Sequence, residues 1–388
     1  MTNAELWEQL RARAAEVHVA DHLRDRLLAG DRLRVKLGMD PTAPDIHVGH
    51  LVVLDVLRAF QDAGHVVVLI VGDYTALIGD PSGQSQTRPV LTRDEVDRNA
   101  ATYFRQLSLV LDPERTEVHG NAEWLAEFGA RDVLQLLGKR TLQSVLERED
   151  FQQRLGAGNP IGAHEILYPF NQAYDSVAVR ADVEIGGTDQ LFNLLFGREI
   201  QRAYGQPPQD VIVFPLLEGR DGVRKMSNSL GNYIGIDEHP AEIYGKTMSI
   251  PDALTPKYLE LVSGLSSEER ARILALDPRD AKAALARQLV LRLHGEEAAA
   301  AAEADFDRKF RRHDLDSASI PSVSVAAGAT VGELLVAAGV VPSLSRARRL
   351  AEQGGLSIDG VKVAHDRQLE DGDLVRAGKR RFVRAAVG

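Results

Sequence analysis

An α/β fold is the prediction for this 388-residue sequence, and three observations make it. Two apolar runs, Leu33 to Met39 and Val66 to Val71, flank a segment with apolar residues at helical spacing, which reads as strand–helix–strand. A second strand-to-helix turn, Gly186-Gly187-Thr188-Asp189-Gln190, follows later. From Pro240 to Phe310 the pattern is helical and rich in Ala and Leu, and beyond Thr330 short strands alternate with turn signals. The expected order is a Rossmann-type parallel sheet, an α-helical domain and a small α+β tail.

The first strand, Leu33 to Met39, runs into Gly38-Met39-Asp40-Pro41-Thr42-Ala43-Pro44-Asp45-Ile46-His47-Val48-Gly49-His50. Pro41 and Pro44 forbid helix inside this turn, and Val53, Leu57 and Phe60 mark the helix from Leu51 to Ala63. His47 and His50 fall on one face of its first turn. A helix start offers free N–H groups and partial positive charge to phosphate. Two imidazoles there can donate to phosphoryl oxygens as charge builds, and Gly49 leaves room for a flat ring. The reading is a nucleotide site for ATP. Two incidental histidines at a turn, or a zinc pair, are the competing readings; no third ligand is evident nearby.

Val66 to Val71 leads into Gly72 to Gly83, where Asp80 stands at a strand's carboxyl end. Its carboxylate could hold a substrate ammonium or cap a turn. Arg93 to Leu111, Asn121 to Phe128 and Arg131 to Glu147 read as helices of an insertion (about 100–160) in the sheet domain, which spans 1–235. Tyr168, Gln172 and Asp175 share a helix face, and a phenol, an amide and a carboxylate together suit a pocket better than a surface. Val177 to Ile185 reads as the next strand, with a helix from Gly186 to Tyr204 behind it. Asp189 could accept from ribose hydroxyls, or Thr188 or Asp189 could cap that helix; both can hold at once. After a strand at Val211 to Phe214, the charged, Gly-rich stretch Leu216 to Ser229 suits a mobile loop that closes over phosphates.

Residues 236–318 are expected to form the helical domain, 319–329 a linker and 330–388 the tail. In the tail, Val331 to Ala338 and Ser343 to Ala351 read as helices, and Leu356 to Ile358, Val361 to Val363 and Asp373 to Ala377 as strands with turns at Asp359-Gly360 and Asp371-Gly372. The net charge of −10 is uneven, because the segment from Val331 onward is net basic. Arg346, Arg348 and Arg349 crowd one helix start and could bind RNA phosphate, or simply form a solvated basic face. Zero cysteines exclude disulfides and cysteine zinc sites. Neither a signal-peptide pattern nor an apolar run near the roughly twenty residues that span a bilayer is present. A soluble cytoplasmic protein without a membrane partner is the expectation.

These residues resemble a known family. Over essentially its whole length the chain is similar to bacterial tyrosyl-tRNA synthetases. His47-Val48-Gly49-His50 resembles the His-Ile-Gly-His motif of class I synthetases, and Lys225-Met226-Ser227-Asn228-Ser229 the Lys-Met-Ser-Lys-Ser motif, about 175 residues further on. Gly186 to Gln190 and Tyr168 to Asp175 resemble the tyrosine branch, and the tail an RNA-binding module shared with a ribosomal protein. The resemblance implies a tyrosine–tRNA ligase working on ATP, L-tyrosine and tRNA(Tyr), with magnesium on the phosphates, no metal ligands in the protein, and a homodimer. It implies that His47 and His50 stabilise the phosphates, with Lys225 and Arg88 near pyrophosphate and Asn228 in the same catalytic loop as Lys225. Gly38, Asp40, Thr42, Gly187 and Asp189 would hold the nucleotide. Asp80, Tyr168 and Gln172 would take the tyrosine ammonium, Gln190 would lie near its carboxylate, and Asp175 would accept from the phenol.

Two positions depart from the family pattern. Asn228 stands where lysine is usual, so activation is expected to be slower, with Arg224 a candidate replacement charge. Lys36 stands where many members have a tyrosine that touches the phenol; it could contact the hydroxyl or point elsewhere. A tryptophan–tRNA ligase is disfavoured by Asp175 and the tail. A non-catalytic RNA-binding paralogue has Asn228 as its only support.

Overall fold

The computed structural model describes residues 1–82, 91–310, 321–358, 361–378 and 381–388. Two compact units divide the chain, Met1–Glu303 and Ala304–Gly388.

The first unit is organised by six strands: β1 (Glu16–His18), β2 (Arg34–Met39), β3 (Val66–Val71), β4 (Thr116–Gly120), β5 (Val183–Gly187) and β6 (Asp210–Phe214). Their order is β1-β6-β5-β2-β3-β4; β1 is antiparallel to β6 and the other pairs are parallel. From β2 the chain steps to β3 on one side, whereas β5 lies on the other. The order reverses at β2, which opens a crevice at the carboxyl ends of β2 and β5, where ligands of such sheets bind.

Around the sheet run α1 (Asn3–Arg13), α2 (Ala20–Ala29), α3 (Leu51–Asp62), α4 (Arg93–Leu107), α5 (Ala122–Leu125), α6 (Ala130–Leu137), α7 (Leu142–Leu146), α8 (Glu149–Gly156), α9 (Leu167–Ala178) and α10 (Leu191–Ala203). Thr2 with Glu5, and Thr92 with Glu95, close capping boxes that satisfy the first amides of α1 and α4. The β2–α3–β3 unit stands where its periodicity puts it, with Leu51, Leu54, Leu57 and Phe60 fully buried. Three expectations need correction. The stretch read as a strand from Val177 starts as the end of α9; Arg180 then turns at φ +51°, and β5 begins only at Val183. The insertion is not all helical, because β4 pairs with β3 as the sheet's edge. The single helix read over Arg131 to Glu147 is two, α6 and α7.

Helices α11 (Pro240–Met248), α12 (Thr255–Val262), α13 (Ser267–Leu274), α14 (Pro278–His294) and α15 (Glu296–Phe310) follow. Expected as a separate domain, residues 236–303 instead share one compact unit with the sheet. Asp55 on α3 is one tie, accepting from Arg292 of α14 at 2.6 Å, with Arg13 of α1 at 3.8 Å. No helix among the described residues is long and apolar enough to cross a membrane.

The second unit holds β7 (Ser322–Val325), α16 (Val331–Ala337), α17 (Leu344–Glu352), β8 (Leu356–Ile358), β9 (Val361–Lys362), β10 (Leu374–Ala377) and β11 (Arg381–Val387). The sheet order is β7-β11-β10-β8-β9, and Val331, Leu334, Leu335, Ala347, Val375 and Val383 form its core. The stretch read as linker therefore contributes a strand: β7 pairs in parallel with β11, alternating exposed and half-buried residues. Gly372 supports the expected Asp371-Gly372 turn at φ +88°, whereas Asp359-Gly360 lies outside the described residues. Arg346, Arg348 and Arg349 are exposed on α17 around buried Ala347, and Arg348 pairs with Glu352 at 3.1 Å.

Candidate active site

A cleft of about 950 Å³ opens at the reversal point, lined among others by Gly38, Asp40, Thr42, His47, His50, Asp80, Tyr168, Gln172, Asp175, Gly187, Asp189, Gln190, Lys225 and Asn228. The two distant motifs meet here. Val48 N–H donates to Ile234 O, Ile236 N–H to Ile46 O, and Gly49 N–H to Met226 Sδ at 3.3 Å. A Cβ at Gly49 would sit 3.0 Å from the His47 ring and 3.6 Å from Met226 Cβ, so only glycine lets the loop seat this closely.

The histidines lie with ring centroids 3.9 Å apart. His50 Nδ1 accepts from the His47 backbone N–H at 3.1 Å. A ring nitrogen that accepts carries no proton, so His50 is the Nε2–H tautomer and donates from that side. Burial lowers both values: His50 titrates at about 4 and His47 well below its ordinary value, with His50 and Lys225 adding to its shift. Both rings are neutral at pH 7 and act as dipolar donors.

Lys225 Nζ sits 2.5 Å from Asp189 Oδ2, so the loop lysine and the acid expected at the ribose are paired in this state. Asn228 Nδ2 donates to Asp45 O at 2.8 Å, and Tyr233 Oη to Asp45 Oδ2 at 2.9 Å. Asn228 thus clamps the loop to the first motif's turn. Arg224 does not replace the missing charge: its guanidinium pairs with Asp221 at 3.1 Å and the residue is exposed. Arg88 lies outside the described residues.

The floor is built differently. Asp175 is 3% exposed; its Oδ1 accepts from Trp124 Nε1 at 2.8 Å and its Oδ2 from Asn121 Nδ2 at 3.2 Å. Burial pushes its pKa up to about 7, against the opposing pull of Lys36 and of these two donors. Tyr168 Oη donates to Asp40 Oδ2 at 3.0 Å. Asp40 Oδ1 accepts from Thr75 Oγ1 at 2.7 Å, and a Cβ at Gly72 would overlap that carboxylate at 1.9 Å. Asp80 Oδ2 accepts from Gln190 Nε2 at 2.8 Å, and Gln172 Oε1 is a buried acceptor with no partner among the described residues.

Lys36 requires a correction. It does not line the cleft but lies behind it, fully buried, 2.9 Å from Glu184. Its Nζ donates to Ser176 Oγ at 2.8 Å and to Gln172 O at 3.1 Å, which pins α9 against β2 and β5. Sequence reasoning missed Trp124, Asn121, Thr75, Gly72 and Tyr233. Among the described residues no group of three or more His, Cys, Asp or Glu could hold a metal ion.

Comparison with known proteins agrees with this architecture. Residues 28–311 match the family model described as tRNA synthetases class I (W and Y). The chain belongs to that family, the class I tRNA synthetases of the tryptophan and tyrosine branch. It is 50% identical over 372 residues to the tyrosine–tRNA ligase of Moorella thermoacetica, covering 93% of this chain and 90% of that one. It is 51% identical over 365 residues to that of Bordetella avium, covering 92% and 88%. The fold is similar to a C-terminally truncated mitochondrial tyrosyl-tRNA synthetase from Aspergillus nidulans (TM-score 0.67, 24% identity, 80% and 94% covered). It is also similar to the Archaeoglobus fulgidus tyrosyl-tRNA synthetase complexed with L-tyrosine (TM-score 0.64, 24% identity, 78% and 99% covered).

Proposed function

We propose that this chain is a tyrosine–tRNA ligase, and the observation that carries the reading is the buried carboxylate of Asp175 at the floor of a cleft rimmed by His47, His50 and Lys225. A ring entering the cleft meets a fixed carboxylate with lone pairs beyond those taken by Trp124 and Asn121, so a para-hydroxyl finds an acceptor and an unsubstituted ring forfeits that hydrogen bond. Tyrosine enzymes are themselves the reference case for that discrimination. Tyr168, Gln172 and Asp80 present acceptors to the ammonium, and Gln190 lies beside the carboxylate.

In the first step a tyrosine carboxylate oxygen attacks the α-phosphorus of ATP, and the bond to pyrophosphate breaks. His50 donates from Nε2–H, and Lys225 leaves Asp189 for the pyrophosphate, which frees Asp189 for the ribose. Gly38, Asp40, Thr42 and Gly187 border the nucleotide. Magnesium comes with the phosphates as part of the substrate. In the second step a ribose hydroxyl at the 3′ end of tRNA(Tyr) attacks the carbonyl carbon and AMP departs. Positioning and charge stabilisation supply the rate. Arg346, Arg348 and Arg349 are the RNA-facing residues of the tail. A homodimer is supported by exposed leucines on the insertion, Leu134 at 70%, Leu142 at 58% and Leu155 at 51%. The setting is the cytoplasm.

The test is ATP–pyrophosphate exchange and tRNA charging with each of the twenty amino acids. Tyrosine alone should support both. Exchange with tryptophan at a comparable rate, or RNA binding without turnover, would overturn the reading.

A further inference from the structure

Behind Asp80 and Gln190, a chain of polar groups that the mechanism does not use runs from the cleft into the insertion. Asp80 Oδ1 accepts from Ser82 N–H at 2.8 Å, and Oδ2 from Gln190 Nε2 at 2.8 Å. Gln190 Oε1 accepts from Asn193 Nδ2 at 3.0 Å. Asn193 Oδ1 accepts from Arg148 Nη1 at 2.7 Å, and Arg148 Nη2 donates to Ser82 Oγ at 2.9 Å. Arg148 is 3% exposed and grips Asp150 through Nε and Nη2 at 3.0 and 2.8 Å. Its guanidinium lies over the rings of Phe151 and Phe192, 5.1 and 5.2 Å from their centroids.

The chain has a direction. A side-chain amide can be turned end for end with little steric cost, so its partners decide which end faces which. Arginine only donates. Asn193 must therefore turn its oxygen to Arg148 and its nitrogen to Gln190. Gln190 must then turn its oxygen to Asn193 and its nitrogen to Asp80. Asp80, a carboxylate that only accepts, demands the same direction from the other end; with Arg148 removed, Asn193 Oδ1 loses its donor and the relay that holds Gln190 against Asp80 loses its anchor.

We propose that Arg148 is a positioning residue for amino-acid recognition: through Asn193 and Gln190 it anchors the hydrogen-bond relay that fixes where the Asp80 carboxylate stands for the substrate ammonium. The proposal rests on the reading that Asp80 binds that ammonium. Arg148 touches no substrate itself. It is anchored from the insertion, so an element outside the strand ends orients a group inside the cleft.

The test compares binding of L-tyrosine with that of 3-(4-hydroxyphenyl)propanoate, which lacks only the ammonium, by titration of the full-length protein. Arg148→Met should narrow the ratio of the two affinities about tenfold, the size of one hydrogen bond to a charged group, with ATP affinity within about twofold of wild type. Asn193→Asp keeps Arg148 paired but puts an acceptor against Gln190, and should narrow the ratio similarly; it decides the matter if Arg148→Met does not fold. Arg148→Lys should recover part of the ratio. If Asp80→Asn collapses the ratio while Asn193→Asp and any folded Arg148→Met leave it at the wild-type value, the proposal is overturned and the Asp80 reading stands. If Asp80→Asn itself leaves the ratio unchanged, the Asp80 reading fails and the proposal with it.

Discussion

The floor and the rim of the cleft are assembled on opposite principles. At the floor, Asp175 already has both oxygens occupied by Trp124 and Asn121, with the Lys36–Glu184 pair packed behind α9. Nothing there has to move for a phenol to be read. At the rim, Lys225 is paired with Asp189, and the proposed mechanism sends the two to different parts of ATP. The floor is preorganised for selection, whereas the rim must rearrange for catalysis. Substitutions at the floor should therefore act on tyrosine affinity and choice, and those at the rim on turnover.

The largest expected effect tests the floor. Asp175→Ala removes the acceptor and takes the carboxylate partner from Trp124 and Asn121, so kcat/KM for tyrosine in pyrophosphate exchange should fall about 10³-fold, with the KM for ATP nearly constant. Equal losses in both substrates would erase the distinction. At the rim, Lys225→Ala should lower kcat for activation about 10²-fold and leave the KM for tyrosine within about twofold.

Titration should separate the regions next. Asp175 titrates at about 7 in the free protein, so kcat/KM for tyrosine should rise from pH 6 to 8 and lose that step in Asp175→Asn. His50 titrates at about 4 and His47 is also lowered, so kcat/KM for ATP at saturating tyrosine should carry no step near the ordinary imidazole value. Stability has the opposite sign. A carboxylate raised on folding contributes fully below its unfolded value, and that contribution is lost as pH rises through about 7. Thermal melts of wild type against Asp175→Asn across this range measure it.

A subtler test is Lys36→Met. Losing the cation should move the Asp175 step to higher pH and raise the KM for tyrosine about tenfold, and the orphaned Glu184 should destabilise the fold by roughly 3–5 kcal/mol. The double variant Lys36→Met/Glu184→Gln should recover stability, and because Glu184 raises the Asp175 value its loss should carry the pH step part of the way back; a step that stays at the single variant's pH would show that Glu184 has no hold on Asp175. Smallest is Asn228→Lys. It should speed activation by less than about tenfold and make it fall with added salt; an unchanged exchange rate would show that the missing charge does not limit this enzyme.

The strand–helix–strand unit and the two motifs were legible because their information is local: periodicity over Leu51 to Ala63, prolines in the turn, paired histidines at a helix start. Strand β4 was not legible, since Thr116-Glu117-Val118-His119-Gly120 has one aliphatic residue and lies at an edge. Strand β7 was hidden among small residues that suit a linker equally well. Trp124 and Asn121 sit in a segment that reads only as helix, and no spacing in the chain places them over Asp175. Lys36 was legible as a departure but not in direction, because its burial depends on Glu184 arriving from a strand about 150 residues away. Local chemistry announces itself in one dimension; a neighbour supplied by topology does not.

The contact from Asn228 to the backbone of Asp45 has a practical consequence. An amide gripping a carbonyl is indifferent to dissolved ions, which weaken attraction between exposed charges. This part of the flap's docking should therefore persist in concentrated brine, where the Lys225–Asp189 pair of the same flap would lose its grip first.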